Sequence, residues 1–149
     1  MHIVLYSPEI PHNAGAAGRL ALATGSTLHL VEPLGFSLDE KAVRRAGLDY
    51  WKDVNLHVWE SFDDLSAAYP EAQFRMLSTK ASRTIWEAEF QEEDFLVFGP
   101  ESKGLPEKWA KGEQGIRIPM MEGSTRSLNL STSVAVVLYE AQRQIGKLS

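Results

Sequence analysis

Few side chains in this sequence of 149 residues could do chemistry, and three stretches hold most of them. The first is Asn13-Ala14-Gly15-Ala16-Ala17-Gly18-Arg19, where Arg19 is the only charge in a run of small residues. A guanidinium keeps its proton and offers a planar fork of donors. The residues alone leave two readings open: a surface arginine on an amphipathic helix, or an arginine aimed at a phosphate or ribose over a thin floor of glycine and alanine. The second stretch is Gly99-Pro100-Glu101-Ser102-Lys103-Gly104-Leu105-Pro106, directly after the apolar run Phe95-Leu96-Val97-Phe98. A glycine-bounded loop after a buried parallel strand is the usual place for a nucleotide-like ligand. It is not a Walker loop, because Leu105 and Pro106 stand where Lys and Ser/Thr are needed, and it lacks the dinucleotide spacing. The third stretch is Ser127-Leu128-Asn129-Leu130-Ser131. Its small polar residues are good N-caps, and exposed amides at a helix start can hold a ligand. On its own that segment reads as an ordinarily capped C-terminal core helix.

Composition removes several chemistries. There is no cysteine, hence no disulfide, no thiol nucleophile and no cysteine-ligated zinc. His2, His12, His29 and His57 are scattered without ligand spacing, so no metal site is expected. The net charge of −5 argues mildly against nucleic acid as a partner. It leaves room for a local basic face, because the acids bunch at Asp63-Asp64 and from Glu87 to Asp94. No run approaches the roughly 20 apolar residues that span a bilayer, and no signal peptide is legible, so a cytosolic protein is expected. Apolar content of 44% and charged content of 23% suit a single folded domain over residues 1–149.

The elements that must position these residues can be read from the pattern. His2 to Tyr6 reads as a buried strand, Pro11 to Thr24 as a helix ended by Gly25, and Thr27 to Glu32 as a second strand, which together make a parallel βαβ unit. Asp39 to Ala46 reads as a short helix with Lys41, Arg44 and Arg45 clustered, either a solvated face or a contact for RNA phosphates beside Tyr50 and Trp51. Further strands are expected at Val54 to Trp59, Phe74 to Thr79, Phe95 to Phe98 and Ile116 to Met121, with helices at Phe62 to Tyr69 and Glu107 to Lys111. Lys80 and Ser82 follow the carboxyl end of the fourth strand, the edge where open α/β sheets bind ligands. Val134 to Leu138 is apolar on every side, which in so short a chain suggests that a second protein surface covers the last helix.

Three segments taken in order carry a family resemblance. Asn13-x-Gly15-x-x-x-Arg19, Phe98-Gly99-Pro100-Glu101-x-x-Gly104-Leu105-Pro106, and Ile118-Pro119-Met120 leading to Arg126-Ser127-Leu128-Asn129-Leu130-Ser131 resemble the three motifs of the SPOUT RNA methyltransferases. Glu32-Pro33-x-Gly35-Phe36 and Arg44-Arg45-Ala46-Gly47-Leu48-Asp49-Tyr50 are similar to the branch that methylates the ribose of the tRNA wobble nucleotide. The resemblance covers essentially the whole chain. It implies an α/β fold, a mostly parallel sheet flanked by helices, with a deep C-terminal trefoil knot, a rare exception to unknotted connections. It implies S-adenosylmethionine as methyl donor with S-adenosylhomocysteine as product, no metal, and a cytoplasmic homodimer docked through its first and last helices. The implied partner is tRNA, tRNA-Leu in particular, engaged at the anticodon stem-loop.

Position by position, the resemblance assigns cofactor binding to Leu77, Gly99, Gly104, Ile118, Ser127 and Leu128, with Leu77 and Ile118 on either side of the adenine. It assigns catalysis to Arg19 and Asn129, and RNA binding to Arg19, Arg44, Arg45, Lys80 and Arg126. Arginine holds its proton, so Arg19 is expected to orient a phosphate and stabilise oxyanion charge. Glu101 is the one carboxylate in the three motifs that stands out as a possible base. Ala16 and Thr132 depart from the pattern, which often has Asn at both. The rivals are a non-catalytic RNA-binding dimer of the same fold and an NAD dehydrogenase, the latter opposed by the missing fingerprint.

Overall fold

Short runs that are apolar on both faces must be covered on both sides, and these runs form a parallel sheet between layers of helices. The computed structural model describes residues 1–39, 41, 43, 45 and 48–149. Its strands are β1 (His2–Tyr6), β2 (Thr27–Val31), β3 (Leu56–Trp59), β4 (Phe74–Leu77), β5 (Phe95–Phe98) and β6 (Gly115–Ile116). They lie in the order β3-β2-β1-β5-β4-β6, each pair parallel. The helices described over their whole length are α1 (Pro11–Thr24), α2 (Phe62–Ala68), α3 (Glu107–Ala110) and α4 (Leu130–Ile145), with a 3₁₀ turn at Leu48–Asp53.

Strand alternation sorts the core into two layers. Ile3, Leu5, Leu28, Leu30, Leu96 and Phe98 face α1 and α4, meeting Ala14, Ala17, Val134, Val137 and Leu138. Val4, Val31, Phe74, Met76, Phe95 and Val97 face the other way, toward Leu65 of α2 and Trp109 of α3. The chain builds β2 and β3 on one side of β1 and the remaining strands on the other. That reversal of direction opens a crevice at the carboxyl ends of the central strands.

Pro11 at the first position starts α1 without a side-chain cap, and Gly25, at φ 66°, ends it in the left-handed conformation. The thin face of α1 is filled by protein: a Cβ on Gly18 would stand 2.6 Å from the Trp51 ring. Trp51 is therefore packing, while Tyr50 is exposed. Lys41, Val43 and Arg45 are helical, with Val43 buried and Arg45 exposed. The expected RNA contact at Arg44 lies outside the described residues.

Two expectations need adjustment. The apolar run from Ile116 to Met121 forms a strand only at Gly115–Ile116; Arg117 makes one isolated bridge to Thr84, and Pro119 has no N–H for a ladder. The acidic stretch before β5 exposes Glu87, Glu89, Glu92 and Glu93 but buries Ala88 and Phe90 between them, and at its end Asp94 is buried and accepts from Arg75 Nε at 3.0 Å. Among the described residues no helix is long and apolar enough to cross a membrane.

Candidate active site

A cavity of about 550 Å³ opens at the carboxyl ends of β4 and β5. Leu77 to Lys80 form one wall, the loop from Gly99 to Leu105 a second, and the segment from Ile118 to Leu130 a third. Ile10 and Asn13, where β1 passes into α1, complete the rim. Every expected cofactor residue lines it: Leu77, Gly99, Gly104, Ile118, Ser127 and Leu128. So do Asn129, Lys80 and Arg126.

The glycine loop has an internal reason for its glycines. A Cβ on Gly99 would come within 2.4 Å of the Gly104 carbonyl carbon and the Leu105 nitrogen. The fold of the loop itself therefore requires glycine at position 99. Gly104 turns the chain at φ 71°, and its N–H reaches the Pro100 carbonyl at 2.8 Å.

Two carboxylates clamp this loop to the start of α1 in opposite directions. Glu101 Oε1 accepts from the Glu9 N–H at 2.8 Å, and its Oε2 accepts from the Ile10 N–H at 2.8 Å and Asn13 Nδ2 at 3.0 Å. In return, Glu9 accepts from the Ser102 N–H at 2.7 Å and from Ser102 Oγ at 2.8 Å. Those two bonds, more than nearby Lys103, hold the Glu9 carboxyl below its ordinary range. Both oxygens of Glu101 accept from N–H donors of the α1 start, so the residue, although on the cavity lining, is engaged in positioning the loop. The sequence held the signal for this pairing, since Asn13 and Glu101 each sit in a motif, but nothing in it said that they touch.

Asn129 caps α4. Its Oδ1 accepts from the Ser131 N–H at 2.9 Å, the Thr132 N–H at 3.3 Å and Ser131 Oγ at 2.7 Å. Such a cap is worth about 1 kcal/mol, and it leaves only the amide nitrogen for a ligand. Lys103 joins Lys80 and Arg126 on the lining, a cation that the motif reading passed over. A chain with net charge −5 therefore presents a basic cavity rim.

Arg19 is not at this cavity. It is exposed on α1, whereas Asn13, on the first turn of that helix, lines the rim. One chain alone does not bring the expected catalytic arginine to the expected cofactor residues. On the neighbouring helix Val136 and Tyr139 are 39% and 45% exposed, so the apolar stretch of α4 is covered only in part by its own chain.

Three of the four histidines, scattered in sequence, are gathered by strand register; His12 lies apart on α1. Val4 pairs with His29 and His29 with His57, while His2 stacks on Phe95 with ring centroids 3.9 Å apart. Trp59 Nε1 is donor only and lies 3.0 Å from His29 Nδ1, so His29 accepts there. Neutral His29 then donates from Nε2 to His2 Nδ1 at 2.9 Å, and His2 donates from Nε2 to Glu93 at 3.3 Å. Burial, with smaller contributions from His2 and His57, pushes His29 down to about 3. His2 opens β1 and Glu93 precedes β5, so this network runs toward the amino end of the sheet, opposite the cavity.

The SpoU rRNA Methylase family model matches residues 1–139. A tRNA (cytidine(34)-2'-O)-methyltransferase of Methylovorus glucosotrophus (strain SIP3-4) is 50% identical over 145 residues, covering 95% of this chain and 94% of its own. The Escherichia coli (strain K12) protein of the same name is 46% identical over 152 residues, covering 98% and 94%. A solved structure described as giving structural insights into the 2-OH methylation of C/U34 on tRNA superposes with a TM-score of 0.93 at 46% identity, covering 99% of this chain and 97% of that one. The SpoU methyltransferase AviRb from Streptomyces viridochromogenes, in complex with AdoMet, shares the fold at TM-score 0.85 and 22% identity, over 99% of this chain and 61% of its own.

Proposed function

The chain belongs to the SpoU rRNA methylase family, and on that premise we propose that it transfers a methyl group from S-adenosylmethionine to the ribose 2′-oxygen of the wobble nucleotide of tRNA. The substrate is cytidine or a modified uridine at position 34, in tRNA-Leu, presented by the anticodon stem-loop. The observation that carries this reading is the convergence of the second and third motifs, with Asn13 of the first, on one cavity at the carboxyl edge of the sheet.

The lining suits the methyl donor. Ligand cavities of this kind run from about 300 to 1,000 Å³, and this one is about 550 Å³. Leu77, Ile118 and Leu128 offer apolar surface to an adenine, and Ser127 with the loop backbone offers polar groups to ribose and amino acid. When bound, S-adenosylmethionine supplies a methyl already activated on a sulfonium. The chain's own task is then mostly position and charge.

Lys80 and Arg126 on the rim, with exposed Arg45, attract and orient RNA phosphates; Arg44 is assigned the same part from its sequence motif. Arg19 steadies the target phosphate and the developing oxyanion. Because it is remote from its own cavity, Arg19 serves the cavity of a second copy. The half-covered apolar face of α4 beside α1 supports that homodimer. A trefoil knot in the C-terminal portion accounts for the way the 118–130 segment comes to wall the same cavity as the loop after β5. Cytoplasmic location follows from a tRNA substrate.

Calorimetry with S-adenosylhomocysteine, with NAD and with a tRNA-Leu transcript tests the reading. Binding of the first and third, with methyl transfer to the tRNA, supports it. Binding of tRNA without S-adenosylhomocysteine makes the chain a non-catalytic RNA binder, and binding of NAD makes it a different enzyme.

A further inference from the structure

The connection from β4 to β5 carries an aromatic that the cavity does not use. Trp86 is 72% exposed, the most exposed of the large aromatics described. Its turn is nevertheless firmly held. Ile85 and Ala88, on either side, are buried in the core at 1% and 2% exposure. The Glu87 carboxylate accepts from the Thr84 N–H at 3.0 Å and Thr84 Oγ1 at 3.1 Å, and the Glu87 N–H returns to the Thr84 carbonyl at 3.1 Å. The Ile85 N–H reaches the Arg117 carbonyl and the Arg117 N–H reaches the Arg83 carbonyl, both at 2.9 Å. The indole is thus presented to solvent by a rigid support.

Two arginines belong to the same turn. Arg83 precedes Trp86 by less than one turn and is exposed, while Arg117 lies across the bridge to Thr84. Arg83 Nη2 reaches the Glu87 carbonyl at 3.5 Å, and after the two Thr84 bonds the charges of Arg83 and Arg117 also help to hold the Glu87 carboxyl below its ordinary range. The one carboxylate within the turn is itself engaged by Thr84. Lys80, on the cavity rim, begins the same connection.

A flat exposed ring in a turn that holds Arg83 and Arg117, with the acids Glu87 and Glu89 on its other side in sequence, fits an unpaired nucleotide whose base lies on the indole and whose phosphates reach the arginines. It fits a protein surface poorly, because it is a single indole among charges, and the exposed apolar residues Val136 and Tyr139 lie on a different element, α4. We propose that Trp86, together with Arg83 and Arg117, is a stacking platform for an unpaired base of the bound tRNA, separate from the cavity that takes the target nucleotide. This rests on the reading of the chain as a tRNA 2′-O-methyltransferase. Nucleotide 34 lies in an unpaired loop, so neighbours of the target are available to stack.

The test compares wild type, Trp86→Ala and Trp86→Phe for binding of a tRNA-Leu transcript, with S-adenosylhomocysteine calorimetry and light scattering on each. Base stacking on an aromatic corresponds to roughly 5- to 150-fold in affinity. Trp86→Ala should weaken tRNA binding about tenfold or more, Trp86→Phe should restore most of it, and cofactor affinity and molecular mass should not move. Bound tRNA should also shield wild-type tryptophan fluorescence from acrylamide, because Trp51, Trp59 and Trp109 are each less exposed than Trp86. Wild-type affinity in Trp86→Ala overturns this inference alone. A fall in mass in that variant makes Trp86 a contact between copies and overturns it as well. A wild-type chain that binds no tRNA overturns the functional reading, and this inference with it.

Discussion

Replacing Glu101 by Gln separates a structural clamp from a catalytic base. The wild-type carboxylate receives the N–H groups of Glu9 and Ile10 at 2.8 Å and Asn13 Nδ2 at 3.0 Å. Glutamine keeps one carbonyl oxygen and converts the other acceptor into an NH₂ donor. If that NH₂ faces Glu9, one N–H is stranded; if it faces Ile10 and Asn13, two donors lose their acceptor. Hydrogen bonds to a charged group contribute about 1.5–3 kcal/mol each, and a stranded donor costs about 1–3 kcal/mol. The site is partly exposed, so the lower end applies, and we expect a net loss of about 2 kcal/mol. For a chain of this size that lowers Tm by about 4–8 °C. The loosened loop forms one wall of the cavity, so affinity for S-adenosylhomocysteine should fall several-fold. Single-turnover methyl transfer at saturating cofactor and tRNA should stay within about tenfold of wild type, because loss of a general base would cost about 10²–10⁴. Unchanged Tm and cofactor affinity with a hundredfold slower transfer would refute the clamp and make Glu101 the base.

Four other outcomes are expected. Burial keeps His29 neutral in the fold down to about 3 and depresses His2 in the same direction, so the unfolded chain binds more protons below pH 6.5. Stability present above that pH is lost as pH falls, at up to about 1.4 kcal/mol per pH unit for His29; urea melts from pH 7 to 5 should show it, and His29→Asn should flatten the slope. Ser127→Ala should reduce S-adenosylhomocysteine affinity by about 0.5–1.5 kcal/mol in calorimetry, whereas Arg19→Ala should leave it nearly intact while slowing transfer about a hundredfold or more, with little rescue by Arg19→Lys. Light scattering should find the wild-type chain dimeric and Val136→Glu monomeric, with transfer abolished if Arg19 serves the partner's cavity; a dimeric, active variant would clear α4 of the proposed interface. Alanine at both Arg44 and Arg45 should weaken tRNA binding and lower its salt slope by about 2, and an unchanged slope would return them to a solvated face.

What could be read in advance followed from local pattern. Val4, Leu5, Leu96 and Val97 belong to continuous apolar runs, and such runs are strands because helices cover both sides of a parallel sheet. Gly25 marks a helix end by the conformation it alone adopts easily. The run from Ile116 to Met121 misled for the opposite reason: it is apolar because Ile118 and Met120 wall a cavity, and strand pairing ends at Ile116. The cavity lining itself was legible only through a resemblance, since Leu77, Gly99, Ile118 and Ser127 are far apart in sequence and carry no local mark of a common destination. Contacts set by register were out of reach. His2, His29 and His57 become neighbours only once β1, β2 and β3 pair in one alignment. The crossed clamp of Glu9 and Glu101 depends on two loops meeting at the sheet's edge. Arg19 was picked out by its isolation on α1, but its distance from its own cavity is a property of the folded helix.

The central claim, methylation of the ribose of nucleotide 34, is tested most directly by single-turnover transfer of labelled methyl from S-adenosylmethionine to two tRNA-Leu substrates. One carries a normal nucleotide at position 34, and the other differs only in being 2′-deoxy there. The account predicts stoichiometric label on the ribose of nucleotide 34 in the first and none in the second. Equal labelling of both, or label on a base or at another position, would contradict it.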